Sequence, residues 1–139
     1  MSGGQAGHGM KLALTALLVR DYDEAIAFYC EALGFRLVED SDLGEGKRWV
    51  VVGGGDGGAL LLAKARKPEE LAAVGNQFGG RVGLFAQTHD FEAVQARLIK
   101  AGAVFEDQPR HEPYGTVAVF RDLYGNRWDL IEPTNGGAS

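Results

Sequence analysis

The chain carries the same capped helix twice, and this repetition limits the folds that it can adopt. Residues 21–27 read DYDEAIA and residues 90–96 read DFEAVQA. Each segment opens with an aspartate, continues with an aromatic residue and then presents an apolar face at helical spacing. A chain that repeats one supersecondary unit folds as two similar modules, so we expect an internal duplication.

The first copy predicts the element order strand, helix and three strands. Residues 11–19 are almost continuously apolar, as in a strand buried on both faces, with a helix as the alternative. Asp21 caps the following helix, which ends before Gly34, and Glu24 is placed as in a capping box. Three further strands are expected at 35–39, 48–52 and 59–63, with a glycine-rich hairpin turn at 53–58 between the last two.

The second copy repeats this order after a polar connector, residues 64–80, that holds a short helix at 68–74. Asp90 caps its helix, which runs to about Lys100. Its strands are expected at 81–86, 104–105, 116–120 and 127–131, with a turn at 122–126. The fold class is therefore α+β, with two tandem βαβββ modules, at about residues 10–66 and 78–133, in one domain that spans residues 10–133.

Amino-acid composition argues against some classes of partner and indicates the cellular compartment. The 139 residues carry a formal net charge of −5 and a pI of about 5.1, which argues against nucleic-acid and membrane-surface partners. The one cysteine, Cys30, fits a reducing cytoplasm. Residues 1–9 are interpreted as a disordered leader or an expression remnant, and residues 134–139 as a flexible tail.

Two motifs carry a resemblance to a known superfamily. Residues 21–29 (DYDEAIAFY) open the first unit, and residues 122–130 (DLYGNRWDL) close the second. This arrangement resembles the vicinal oxygen chelate superfamily, which includes glyoxalase-type lyases, bleomycin-resistance proteins, fosfomycin-resistance enzymes and extradiol dioxygenases. The resemblance implies curved mixed sheets around a central cleft, with both long helices on the convex side.

The same resemblance implies where a divalent metal would lie: on the concave face, held by His, Gln or Glu from the first and last strands of each module. In this chain the slots of the first module fall on Leu14 and on apolar residues such as Leu61. Those of the second fall on Arg81, a permanent cation, and on Asp129. One carboxylate is too few to hold an ion, so we expect no metal and no other cofactor, with a divalent metal ion as the alternative.

The slot residues of the second module predict an ion pair. If Arg81 and Asp129 both face the cleft, neither charge can stay unpaired, because an isolated buried ion costs several kcal/mol. Strand alternation then places Arg81, Gly83 and Phe85 on one face. The alternative is that Arg81 points to solvent and Asp129 accepts a hydrogen bond from a nearby backbone amide.

Further candidates come from strands and loops that border the expected cleft. The predicted ligand-binding residues are Leu14, Trp49, Leu61, Arg81, Phe85, Tyr114 and Asp129. If the protein is an enzyme, Arg81 is the candidate electrophile, and Asp129, Glu112 or His111 the candidate base. Trp49 and Tyr114 also suit a core or an interface, and a solvated hairpin is the alternative for His111 and Glu112. Trp128 alternates with Asp129 and is expected in the core.

These features leave three functions open. The first is a homodimer that binds a small hydrophobic or aromatic molecule in a metal-free cleft. Dimerisation is expected because a single helix leaves much apolar surface on each four-stranded sheet uncovered. The second is a metal-independent enzyme, and the third is a divalent-metal-dependent lyase or dioxygenase. The sequence does not distinguish module pairing within one chain from pairing between chains.

Overall fold

The computed structural model describes residues 7–134, which form two similar modules joined by a connector. The first module contains β1 (Thr15–Val19), α1 (Tyr22–Ala27), a π-helical turn (Phe28–Ala32), β2 (Arg36–Gly44), β3 (Lys47–Gly53) and β4 (Ala59–Lys64). The connector holds α2 (Pro68–Ala73). The second module contains β5 (Leu84–Gln87), α3 (Phe91–Lys100), β6 (Val104–Phe105), β7 (Arg110–Glu112), β8 (Gly115–Arg121) and β9 (Arg127–Pro133).

Both modules have the same sheet topology. The strand orders are β1-β4-β3-β2 and β5-β9-β8-β6, with β7 also paired to β8. In each sheet the first strand runs parallel to the last one, β1 to β4 and β5 to β9, and the other pairs are antiparallel. The internal duplication and the mixed α+β architecture predicted from the sequence are therefore confirmed.

The two long helices begin at the aspartates that the sequence indicated. The Asp21 carboxylate accepts a hydrogen bond from the Glu24 amide at 2.8 Å, and Asp90 accepts one from the Ala93 amide at 3.2 Å. The expected capping box is wrong, because the Glu24 side chain accepts from the Tyr124 hydroxyl at 2.7 Å instead. Within residues 7–134, no helix is long and apolar enough to cross a membrane.

Two strands, β1 and β5, start later than predicted, because the parallel strands that pair with them extend no further in that direction. Residues 11–14 lie outside β1, whose first residue, Thr15, pairs with Leu60 next to the start of β4. Similarly, Arg81 lies outside β5, which begins at Leu84 opposite Trp128 near the start of β9. A strand needs a partner for its backbone hydrogen bonds, so neither segment continues the sheet. The predicted leader, residues 1–9, and tail, residues 134–139, lie mostly outside the described residues.

One hydrophobic core joins the two modules. It contains residues from β1, β3 and β4, from both long helices, and from β8 and β9. Trp128 is 2% exposed and stacks on Phe120, with 5.8 Å between ring centroids. The prediction that Trp128 belongs to the core is confirmed.

The connector is fastened to the free edge of β1 by one side chain. The Gln77 Oε1 atom accepts a hydrogen bond from the Leu18 amide at 2.8 Å, and its Nε2 atom donates to the Ala16 carbonyl oxygen at 2.9 Å. Since β1 is the last strand on this side of its sheet, these are backbone groups that β4 does not use. Gln77 therefore positions the connector against the first module.

Candidate functional site

A cleft of about 640 Å³ opens between the two modules. The glycine-rich turn before β4 and the first residues of β4 line one side, and β5 with the following residues 87–89 lines the other. Four aromatic side chains contribute to its walls: Phe35, Phe78, Phe85 and Trp128. The cleft is thus large enough for a small organic molecule and is strongly aromatic.

Trp128 is the best anchored of these aromatic side chains. Its indole Nε1 atom donates to Asp122 Oδ2 at 2.9 Å, and its ring lies 6.0 Å from that of Phe35, measured between centroids. Asp122 is 4% exposed and also accepts from the Tyr29 hydroxyl at 2.6 Å. The buried carboxylate thereby fixes the orientation of the indole at the base of the cleft.

Two tyrosine hydroxyls near this anchor are strongly perturbed. Burial, together with the Asp122 carboxylate, raises the pKa of Tyr29 well above its ordinary value. Burial and the hydrogen bond to Glu24 likewise raise the pKa of Tyr124. Both hydroxyls are therefore donors at neutral pH. Tyr29, in the π-helical turn, donates to Asp122, and Tyr124 donates to Glu24 of α1, so both join the first module to the turn before β9 of the second.

The rim of the cleft is polar. It is formed by Thr15, Asp56, Gln87, Thr88 and His89. His89 is exposed and borders the cleft. The cleft therefore combines an aromatic wall with polar side chains that could orient a ligand.

Phe85 and Asp129 lie side by side on adjacent strands. They are register partners in the parallel β5–β9 pair, so their side chains share one face of the second sheet. Phe85 is 61% exposed and lines the cleft, whereas the Asp129 Oδ1 atom is buried and has no hydrogen-bond partner within residues 7–134. A buried, unsatisfied acceptor therefore lies next to an exposed aromatic ring.

The predicted ion pair between Arg81 and Asp129 is wrong. Arg81 is exposed, and its Nε atom donates to the Val82 carbonyl oxygen at 2.9 Å. Among the described residues no ion pair joins it to Asp129. Because β5 begins only at Leu84, strand alternation does not apply at Arg81, and the solvent-facing alternative for Arg81 is the correct one.

The structure places the other predicted ligand-binding residues outside the lining of this cleft. Leu14 and Leu61 are half-buried, whereas Trp49 is 38% and Tyr114 60% exposed. Of the seven predicted residues only Phe85 lines the cleft. Roles for Leu14, Trp49, Leu61 and Tyr114 in ligand binding stay predictions.

The catalytic candidates His111 and Glu112 lie on β7, which replaces the predicted loop. His111 Nδ1 is 3.2 Å from the Thr116 hydroxyl, and Glu112 forms an ion pair with Arg110 at 3.5 Å. Neither residue lines the cleft, and no hydrogen bond or ion pair within residues 7–134 joins either to Asp129. The structure therefore does not bring the catalytic candidates together.

Sequence reasoning missed Phe35, Phe78 and Asp56 as cleft residues. Phe35 follows the first helix, Asp56 lies in the glycine-rich turn, and Phe78 lies in the connector. The available signal was their position at the ends of strands and helices, where loops from both modules meet. Which loops meet depends on the packing of the modules, and no local motif encodes that packing.

The residues at the implied metal slots do not fit a divalent ion. Leu14 and Leu61 have no donor atom, and Arg81 is a cation outside the strand, so Asp129 is the only ligand type present at these slots. In the part of the chain that the structure describes, no three His, Cys, Asp or Glu side chains are grouped to hold a metal.

One family model and two curated relatives match most of the chain. A family model described as Glyoxalase/Bleomycin resistance protein/Dioxygenase superfamily matches residues 11–130. An uncharacterized protein of Shewanella frigidimarina (strain NCIMB 400) is 53% identical over 84% of this chain and 89% of its own length. Uncharacterized protein YurT of Bacillus subtilis (strain 168) is 31% identical over 88% of this chain and 99% of its own length.

A solved structure extends the comparison to a protein with a described property. TnmS3, an antibiotic binding protein from Streptomyces sp. CB03234, is similar with a TM-score of 0.71 and 30% sequence identity. The similarity covers 91% of this chain and 98% of TnmS3. The likeness thus extends over nearly the whole of both chains.

Proposed function

The chain belongs to the Glyoxalase/Bleomycin resistance protein/Dioxygenase superfamily, and from this membership we propose that it binds a small hydrophobic or aromatic molecule in a metal-free cleft. The observation that carries the proposal is the cleft of about 640 Å³ with its four aromatic wall residues. Its volume lies within the range of roughly 300–1,000 Å³ that is usual for small-molecule sites. The similarity to TnmS3, an antibiotic binding protein, supports the same function class.

Aromatic walls favour a flat, unsaturated ligand. Phe85 is 61% exposed, so a bound ring that covers it would remove apolar surface from water. Trp128, held by Asp122 and only 2% exposed, is a rigid part of the cleft lining that does not need to be ordered on binding. A preorganised wall lowers the entropic cost of association.

Asp129 does not line the cleft, but it is the register partner of Phe85, which does, so a ligand that displaced the Phe85 ring would reach its carboxylate. An unpaired buried acceptor costs roughly 1–3 kcal/mol, and a ligand O–H or N–H group placed beside Phe85 would recover part of that cost. The ligand class is therefore an aromatic molecule with a hydrogen-bond donor. Arg81, Glu112 and His111 have no assigned role in it.

The proposed assembly is a homodimer. Ala16, which is exposed, and its register partner Leu61, which is half-buried, lie on the face of the first sheet opposite the buried Leu17. Twofold symmetry would cover such surfaces with equivalent ones. Sedimentation velocity at micromolar concentration tests this assembly, and a monomer there would refute it.

A cytoplasmic location is part of the same proposal, because a chain with Cys30 as its one cysteine forms no intramolecular disulfide and fits a reducing compartment. Cell fractionation with an antibody to the chain tests it. Recovery from a periplasmic or culture fraction would contradict it.

Tryptophan fluorescence tests ligand binding. In a Trp49→Phe variant Trp128 is the remaining tryptophan, so quenching by 2-naphthol reports on the cleft wall. We expect saturable quenching that weakens about tenfold in Phe85→Ala, since this change removes one aromatic wall. Leu43→Ala, at an exposed apolar residue on β2, is the matched control and should bind like the parent.

Two further measurements separate the proposal from the enzymatic alternatives. Elemental analysis of protein purified without chelator should find no stoichiometric divalent metal. Aromatic aldehydes incubated with the protein should keep their absorbance, because binding alone changes no bond. Stoichiometric metal, or steady turnover of an aldehyde, would replace the proposed function by an enzymatic one.

A further inference from the structure

Three arginine side chains surround a second, smaller cavity of about 30 Å³, between the connector and the turn that joins β8 to β9. Arg81 comes from the connector side, Arg121 from the end of β8 and Arg127 from the start of β9. Gly80 and Gly125 complete the mouth without bulky side chains. We call these residues the arginine pocket.

Glu106 satisfies one of the three guanidinium groups. It accepts two hydrogen bonds from Arg127, at 2.8 and 2.9 Å, and lies 2.9 Å from Nε of Arg121. The hydrogen bond from Arg127 lowers the pKa of Glu106 below its usual range. Arg127 also donates to the Gly80 carbonyl oxygen at 3.1 Å, so each of its three guanidinium nitrogens makes a hydrogen bond within the fold.

Two of the guanidinium groups keep free donors. Arg81 uses only Nε in a hydrogen bond, and Arg121 contacts Glu106 through Nε. In residues 7–134 no hydrogen bond or ion pair engages the terminal nitrogens of Arg81 or Arg121. Both side chains are exposed, Arg121 at 51%, so these nitrogens are open to solvent.

The charges at the pocket do not balance. Glu106 lies at contact distance from Arg121 and Arg127, Arg81 has no ion pair within residues 7–134, and Asp107 and Asp129 act on Arg127 from further away. This positive patch lies on a chain whose formal net charge is −5, so it is not a consequence of overall composition. Planar guanidinium groups with free terminal nitrogens match the oxygens of carboxylates and phosphates.

We propose that the arginine pocket binds a small oxyanion, a carboxylate or phosphate group, through the terminal nitrogens of Arg81 and Arg121. Arg127, held by Glu106 and Gly80, supplies the fixed positive wall. The pocket adjoins the aromatic cleft, because Phe78 lines both cavities, but its binding does not depend on an aromatic ligand.

NMR titrations with inorganic phosphate and with acetate test the pocket at constant ionic strength, set with sodium chloride. We expect saturable shifts of the Gly80 and Gly125 amide signals, and the anion that saturates at lower concentration identifies the preferred group. Shifts that sodium chloride reproduces would overturn the proposal. Saturation by neither anion would overturn it as well.

Arginine variants test whether the anion binds at the arginine pocket. The double substitution Arg81→Gln and Arg121→Gln should raise the dissociation constant about tenfold or more, since both free guanidinium groups are lost. Arg36→Gln, at an exposed arginine on β2, is the matched control and should leave it unchanged. Equal binding by the double variant and the parent would overturn the proposal.

The substitution Glu106→Gln should strengthen anion binding, which a misfolded protein would not do. Removing the internal carboxylate leaves more uncompensated positive charge, so phosphate should bind about threefold more tightly or better. A damaged fold would weaken binding instead. Weaker binding in a variant whose amide spectrum is otherwise native would contradict the proposal.

Discussion

The hydroxyl of Tyr29 lies 2.6 Å from Oδ2 of Asp122, although 93 positions separate the two residues in the chain. Tyr29 belongs to the first module and Asp122 to the second, and both are buried. Asp122 Oδ1 also accepts from the amides of residues 124–126. One carboxylate therefore shapes the last turn, orients Trp128 and joins the modules.

Asp122→Asn should destabilise the protein by about 3 kcal/mol or more, because the new amide places donors against the donors that Asp122 accepts from. Urea unfolding followed by circular dichroism measures the loss. Asp107→Asn, at a carboxylate 45% exposed that pairs with Arg110, should change stability by less than about 0.5 kcal/mol. Similar losses in both variants would contradict the central role of Asp122.

Stability should fall as pH rises above about 10, the ordinary tyrosine pKa. Burial raises the pKa values of Tyr29 and Tyr124 in the folded state, so the unfolded chain releases these protons first. It then binds fewer protons than the folded chain, and the free energy of unfolding decreases with pH. The stabilisation that the two protonated tyrosines give is complete below their pKa in the unfolded chain. It is lost as the pH rises towards their higher pKa in the folded state.

Unfolding by urea between about pH 8 and about pH 11 measures this slope. The double variant Tyr29→Phe and Tyr124→Phe should show a shallower decrease, because neither position can then ionise. Its stability at neutral pH should also drop, by about 1.5 kcal/mol for Tyr29→Phe alone, since a buried hydrogen bond to Asp122 is lost. An unchanged slope would show that other groups control alkaline unfolding.

Gly75→Ala should destabilise the connector by about 3 kcal/mol. A Cβ atom there would overlap the Tyr124 carbonyl oxygen, and the backbone φ of +79° is left-handed. Gly79→Ala is the matched control, because its φ is +71° but a Cβ atom there meets no atom within 4 Å. The control should lose only about 1 kcal/mol, so the difference in thermal unfolding isolates the steric contact.

Asp129→Leu should stabilise the free protein by about 1 kcal/mol, because it removes a buried acceptor that has no partner in the described residues. The same change should weaken binding of 2-naphthol while leaving that of 2-methoxynaphthalene, which has no O–H donor, nearly unchanged. Thermal unfolding and fluorescence titration measure the two effects. A loss of stability would show that Asp129 serves the fold rather than a ligand.

The repeated helix motif predicted the architecture well, because its determinants are local. Asp21 and Asp90 cap their helices as expected, and the apolar runs form strands in the expected order along the chain. Strand ends were less predictable. Thr15 and Leu84 begin their strands where partner strands become available, and that limit depends on contacts distant in sequence.

The candidate site was predicted only in part. Phe85 and Asp129 lie on adjacent strands, so alternation placed them on one face correctly. Arg81 was assigned from the slot that the family resemblance implies, but it lies three positions before Leu84, the first residue of the strand. Asp122 and Phe78 gain their roles from packing between modules, which periodicity and spacing do not encode.

The side-chain amide of Gln77 makes the two hydrogen bonds to β1 that a neighbouring strand would otherwise make. A β-strand from another molecule could pair with this edge only by displacing the Gln77 side chain. Exposed strand edges are starting points for aggregation, and many proteins protect them with charges, prolines or an added helix. Here a single uncharged residue in the connector occupies the edge, so the first module relies on a side chain from outside it to cover these backbone groups.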